Sequence, residues 1–277
     1  LIIGGNNVQW QIAIFHMFFN VTPTLILVGF LKYIVKLACL IVPEKKTPKV
    51  VDSNEILDVR LLKTPAIAVG QTRKEIVRMG QLAFTNYKRS VEMLLSGKMD
   101  SKEEFDKTEA EINTLNKHIT QYLVKLSSQN ITETDEKKVS SFYHVTSDLE
   151  RIGDYAENIT EYAQEMADAK ATFSKHAIEE IQSMDAHLTE LYKNVELAFA
   201  NHNLNNMAKI MEEENATDEM CKTMHASHIR RTNEGRCTPE AGSVFLQLAV
   251  NMERIGDHMY NVANSIKSYT NGNVYKG

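Results

Sequence analysis

From about residue 66 to the C-terminus, apolar side chains recur mostly every three or four positions, in six long runs. That period is one stripe of a helix turned toward a core. The first run covers about 66–95, through Ile67, Val69, Ile76, Val77, Met79, Leu82, Ala83, Val91, Met93 and Leu94, and Ser96-Gly97 stops it. The second covers about 101–126, through Phe105, Ile112, Leu115, Ile119, Tyr122 and Leu123. The third, opened by Thr134 or Asp135, passes Phe142, Val145, Leu149, Ile152, Ala156 and Ile159 to about residue 169. The order then repeats at about 174–200, 204–231 and 239–269, with Asn233, Gly235 and Pro239 as break signals. Proline and glycine are scarce past residue 65, while Glu, Lys, Ala, Leu and Met abound, which favours helix. The pattern predicts an all-α protein with tandem three-helix bundles over 65–170 and 171–277.

Residues 1–43 follow another pattern. From Val8 to Val42 there is no acidic residue, and only Lys32 and Lys36 carry formal charge. About 20 mainly apolar residues cross a bilayer, and 24–42 approaches that length, with Pro23 where a helix can begin and Trp10 and Tyr33 as interfacial anchors. Each lysine would cost about 2.5–3.5 kcal/mol at mid-bilayer unless it snorkels or faces protein. Spaced four apart, they share one face, so a helix lying along the membrane surface is the competing reading. The expectation is a membrane-embedded end of a helical domain over 1–43, in contact with lipid, then a linker over 44–64. Lysines in PEKKTPK, residues 43–49, favour the cytoplasmic side. This places the chain at the inner (plasma) membrane, with residues after about 43 cytoplasmic. The chain opens on Leu1 rather than Met and reads as a piece of something longer.

Composition narrows the function. Of 277 residues 24% are charged, the formal net charge is -5 and the pI is near 6.0, so no basic field exists to hold nucleic acid. Cys39, Cys221 and Cys237 form no paired spacing and read as free thiols in a reducing compartment. There is no G-x-S-x-G, no glycine-rich phosphate loop and no G-x-G-x-x-G before a helix, and an enzyme is not expected.

One signature is written twice. Glu-Arg-Ile-Gly-Asp stands at 150–154 and again at 253–257, 103 residues on, each time with an Asn four residues later, Asn158 and Asn261. On a helix Glu150, Asp154 and Asn158 line one face, as do Glu253, Asp257 and Asn261. Like charges so placed repel by roughly 0.2–0.5 kcal/mol, and Gly153 and Gly256 each cost about 1 kcal/mol relative to Ala. A cation would turn that repulsion into a site, and oxygen donors suit magnesium, calcium, manganese or iron. The glycine would admit a neighbouring helix or leave room for the ion. The preceding helices offer Glu214 and Asp218 in the second half, Glu109 and Asn113 in the first, so neighbouring helices could share a carboxylate cluster. Asn113 in place of Asp should weaken the first. The competing reading is a solvated acidic face neutralised by Arg151 and Arg254; the repetition weighs toward metal. His225 and His228 are read as exposed or hydrogen-bonded, and a carboxylate-bridged oxidase lacks its Glu-x-x-His near the repeats.

With these repeats, FHMFFNVTP at 15–23 and LDVRLLKTPAIAV at 57–69, the chain resembles the C-terminal part of bacterial sodium/phosphate cotransporter family proteins that carry a PhoU-like domain. The resemblance implies a missing membrane core that moves inorganic phosphate with sodium, and a PhoU-like regulatory domain. It further implies iron, magnesium, manganese or zinc at Glu150, Asp154, Glu253 and Asp257, with Glu214 and Asp218 in support and Glu109 a poorer match. A homo-oligomer is a further expectation. A PhoU-type signalling adaptor, docking on a separate transporter or kinase, is the alternative.

Overall fold

The computed structural model describes residues 8–41 and 57–270, which fall into two units and are helical throughout apart from short connections. The first unit contributes α1 (Val8–Ile41). The second holds a short 3-10 helix (Val59–Lys63), then α2 (Pro65–Ser96), α3 (Lys102–Ser127), α4 (Glu133–Asp168), α5 (Lys175–Asn201), α6 (Met207–Asn233) and α7 (Pro239–Thr270).

Local chemistry sets these limits. Pro65 opens α2 at a position where a missing N–H costs nothing. Gly97, at φ +66°, ends it, its N–H donating to the Met93 carbonyl at 3.0 Å. Periodicity places the start of α4 at 134 or 135, yet the cap is Thr132, whose hydroxyl oxygen accepts from the Asp135 N–H (3.1 Å) and whose O–H donates to the Asp135 carboxylate (2.9 Å). The start of α6 moves the other way, from 204 to Met207. There the Asn203 side chain accepts from the Asn205 N–H at 2.8 Å, holding the segment in a turn.

Helices α2, α3 and α4 pack together, as do α5, α6 and α7, and the two triplets join along α4 against α7 and α2 against α5. The core is continuous across that seam, so Met79, Ala83, Leu149 and Ile152 belong to the same buried cluster as Leu188, Val195, Met259 and Val262. Apolar burial is the main stabilising term along it. Polar contacts then select its register: His258 Nδ1 lies 2.9 Å from Asp148 Oδ1, the Asn251 amide donates to the Tyr162 hydroxyl at 3.1 Å, and Ser141 donates to the Ser265 carbonyl at 3.3 Å. Phe84 stacks on Tyr192 with centroids 4.0 Å apart, beside an ion pair of Lys88 with Asp185.

The membrane expectation is corrected. Among the described residues no helix is long and apolar enough to cross a membrane. Helix α1 runs straight through Pro23 instead of beginning there. Gln9, Gln11, His16, Asn20, Lys32 and Lys36 dilute its apolar run, and polar and charged residues are costly in hydrocarbon. The inner-membrane location and the lipid contact inferred from the span go with it. Most of the linker expected over 44–64 lies outside the described residues; its end carries the 3-10 helix, which periodicity did not predict.

Candidate functional site

In the second triplet, α6 carries Glu214 and Asp218, and α7 carries Glu253 and Asp257. Because α6 packs on α7, one carboxylate oxygen each from Glu214, Asp218 and Asp257 comes within 4.8 Å of the others, all three half-buried. Gly256 permits the approach. A Cβ there would stand 3.3 Å from Leu188 Cδ2 on α5 and 3.4 Å from Thr217 Cγ2 on α6, tighter than ordinary contact. So this glycine serves helix packing rather than room for an ion.

The crowding shows in proton affinity. Burial raises the pKa of Glu214, and Asp218, Asp257 and Glu253 raise it further. Asp257 is raised by burial and then by Asp218, against the opposing charge of Arg254. Glu253 is raised in the same way, with Asp257 as its main charged neighbour, though it stays outside the trio. Arg254 reaches Asp257 Oδ2 only at 3.5 Å and Glu253 Oε2 at 3.6 Å, so it neutralises the cluster incompletely. Asp218 Oδ1 is buried with no hydrogen-bond partner among the described residues. An acceptor so placed costs about 1–3 kcal/mol unless something donates to it or a cation binds it. The donor set is hard oxygen, and burial pushes the nearby Cys221 thiol up to about 11, keeping it protonated. These residues fit a hard divalent cation such as magnesium, manganese or iron.

The first triplet departs from this plan. Glu109, on α3, is only 7% exposed. Its pKa is pushed up to about 7, by burial first and then by the carboxylates of Glu157, Asp154 and Glu150. Gly153 makes its seat: a Cβ at 153 would lie 3.2 Å from Glu109 Oε2, an oxygen that has no partner among the described residues. Asn113 donates to Glu109 Oε1 at 3.3 Å, and Arg151 holds Asp154 at 3.3 Å. No trio of ligand atoms forms here among the described residues. Asn113 supplies an N–H donor where the second triplet has a carboxylate, so its bond to Glu109 is made within α3, one turn along the helix, and removes one negative charge from the group.

Sequence reasoning passed over Glu157, the strongest charged neighbour of Glu109. Its signal was present, three residues beyond Asp154 and seven beyond Glu150 on one helix face. His225, half-buried on α6 and close enough to favour ionised Glu253, has an Nε2 without a partner among the described residues.

Two blocks of the chain, residues 76–163 and 181–266, match the PhoU domain family. The chain belongs to that family. Its sequence is 22% identical over 257 residues to YjbB of Escherichia coli K12, a protein named for inorganic phosphate export, covering 91% of this chain and 47% of that protein. The chain thus spans about half the length of these curated relatives. It is 25% identical over 212 residues to a phosphate-specific transport system accessory protein, a PhoU homologue of Synechocystis, covering 74% of this chain and 90% of the relative. The fold is that of the PhoU regulatory protein of the phosphate transport system from Streptococcus pneumoniae (TM-score 0.69, 17% identity, 77% of this chain and 100% of the other). PhoU from Pseudomonas aeruginosa is as similar (TM-score 0.68, 20% identity, 76% and 99%).

Proposed function

We propose that this protein is a PhoU-type accessory and regulatory protein of phosphate transport, not an enzyme, and that a divalent cation held by Glu214, Asp218 and Asp257 is part of its working state. The observation that carries the reading is the α6–α7 carboxylate trio on a duplicated PhoU framework, with a buried acceptor left over on Asp218. The cation would supply positive charge that ties α6 to α7, and its loss would return mutual repulsion to that helix pair. Glu253 lends negative charge from one turn away, and Arg254 limits the excess.

The test is phosphate uptake in cells lacking the gene, complemented with the wild-type protein or with Asp257→Asn. Restoration by the wild type and not by the variant is expected. Equal restoration by both would remove the metal from the mechanism, and failure of deletion to alter uptake or its response to phosphate would reject the regulatory role.

A second reading makes the chain the regulatory end of a sodium-dependent phosphate transporter. The YjbB alignment favours it, since it takes in 91% of this chain but only 47% of that protein. Removal of residues 65–277 from the full-length product separates the two. A transporter in cis would change its regulation on truncation, whereas an adaptor would act equally well supplied as a separate chain.

A further inference from the structure

At the far end of the second triplet lies a cavity of about 330 Å³, where the turn entering α5 meets the loop entering α7. Two long helices, of 27 and 32 residues, thus open on it by their N-termini. Ser174 and Thr238 lie in its wall as caps, accepting from the Ala177 and Ala241 N–H groups, both at 3.3 Å. Capping leaves the first N–H groups of each helix, at Lys175, His176 and Glu240, with no carbonyl one turn back to receive them. Together with the helix dipoles they bring positive partial charge to the cavity mouth.

An independent feature points the same way. Arg231, 5% exposed, lines this cavity. Its Nη1 donates to Glu180 at 2.6 Å and to Ser227 Oγ at 2.8 Å, and the guanidinium lies 4.6 Å over the Phe245 ring. Its Nη2 is buried with no hydrogen-bond partner among the described residues. A buried cationic donor left idle is costly, and Glu180 engages the guanidinium through Nη1 alone. A second cation, Arg236, also lines the cavity; its partner Glu234 stands 3.3 Å away, both of them open to water. Glu240, in the first turn of α7, and Glu179, 3.8 Å from Lys175 and from His176 at the start of α5, are further carboxylates at this end. Cys237 completes the wall, its thiol 3.9 Å from His228 Nδ1 and donating to the Thr238 carbonyl at 3.4 Å. Backbone donors, two guanidinium groups and hydroxyl caps around this cavity match an anion better than an apolar ligand.

We propose that this cavity binds a small tetrahedral oxyanion, phosphate or sulfate, between the N-termini of α5 and α7, with Arg231 and Arg236 as its cationic walls. The site is separate from the carboxylate trio and does not depend on a bound metal.

The experiment is calorimetric titration of the whole chain with inorganic phosphate and with sulfate, chelator present, alongside the rate of Cys237 alkylation by iodoacetamide. Saturable binding is expected. Arg236→Gln should weaken it about tenfold, equivalent to about 1.4 kcal/mol, and Arg231→Gln at least as much. Saturating anion should slow alkylation of Cys237 and leave that of Cys221 unchanged, while Asp257→Asn binds the anion as the wild type does. If Arg231→Gln fails to fold by circular dichroism, Arg236→Gln decides alone. Absence of saturable binding for both anions, or affinity undiminished in Arg236→Gln, overturns the assignment.

Discussion

Glu109→Gln tests the electrostatics of the first triplet directly. In the unfolded chain Glu109 titrates at the ordinary 4.5, and in the fold at about 7. Below pH 4.5 the carboxyl is protonated in both states and contributes nothing to pH dependence. Between 4.5 and 7 the unfolded chain releases its proton while the folded chain keeps it, so stability falls as pH rises through that window. A tenfold difference in proton affinity between the two states is worth about 1.4 kcal/mol, which puts the loss at about 3 kcal/mol above pH 7 and about 1 kcal/mol at pH 5. Glutamine is neutral throughout, fits the same seat beside Gly153, and keeps a carbonyl for the Asn113 amide. The variant should therefore be more stable than wild type by about 3 kcal/mol at pH 8 and by only about 1 kcal/mol at pH 5. Urea denaturation in chelator at the two pH values, with an unchanged slope, measures this. A variant no more stable than wild type at pH 8, or a gain equal at both pH values, would refute the claim that a destabilised carboxylate sits between α3 and α4.

Asp257→Asn should lower the divalent metal that co-purifies with the protein when none is added; elemental analysis showing equal content would count against the trio. Gly256→Val should cost roughly 2 kcal/mol, since its side chain must displace Leu188 and Thr217, and an unchanged urea midpoint would contradict the packing role given to this glycine. Gly242→Ala places a Cβ 2.6 Å from His228 Cε1, so about 1–3 kcal/mol of destabilisation is expected, together with altered Cys237 alkylation as the His228 ring moves. Wild-type stability and thiol reactivity together would refute it.

The helices were legible in the chain because their apolar stripes are long and regular. Ile76, Met79 and Ala83, or Leu188 and Leu191, fall where a 3.6-residue period puts a buried face, and Gly97 and Pro239 mark ends in their own right. The partner of each buried face was not legible. Periodicity says that Leu149 and Met259 face a core, but that α4 lies against α7 follows from pairings such as Asp148 with His258, 110 residues apart. The recurrent glycines illustrate the same limit. Gly153 and Gly256 occupy one motif, yet the first seats a carboxylate and the second admits two aliphatic side chains, a difference decided by Glu109 on one neighbouring helix and Thr217 on the other. Composition misled at α1, where an apolar average outweighed the polar and charged residues spaced through it. The oxyanion cavity had no linear signature, since Ser174, Arg231 and Thr238 converge only when α5 and α7 start side by side.

The unbroken core across the α4–α7 seam has a consequence for how the molecule can be taken apart. A chain severed between Asp168 and Lys175 would yield two pieces, each with a greasy strip that in the intact molecule is covered by the other. Such pieces should be poorly soluble alone and find each other when mixed, reassembling as a noncovalent pair. The short tether joining them then acts mainly as a concentration device, and duplication followed by fusion becomes a natural origin for a protein that is, in effect, its own dimer.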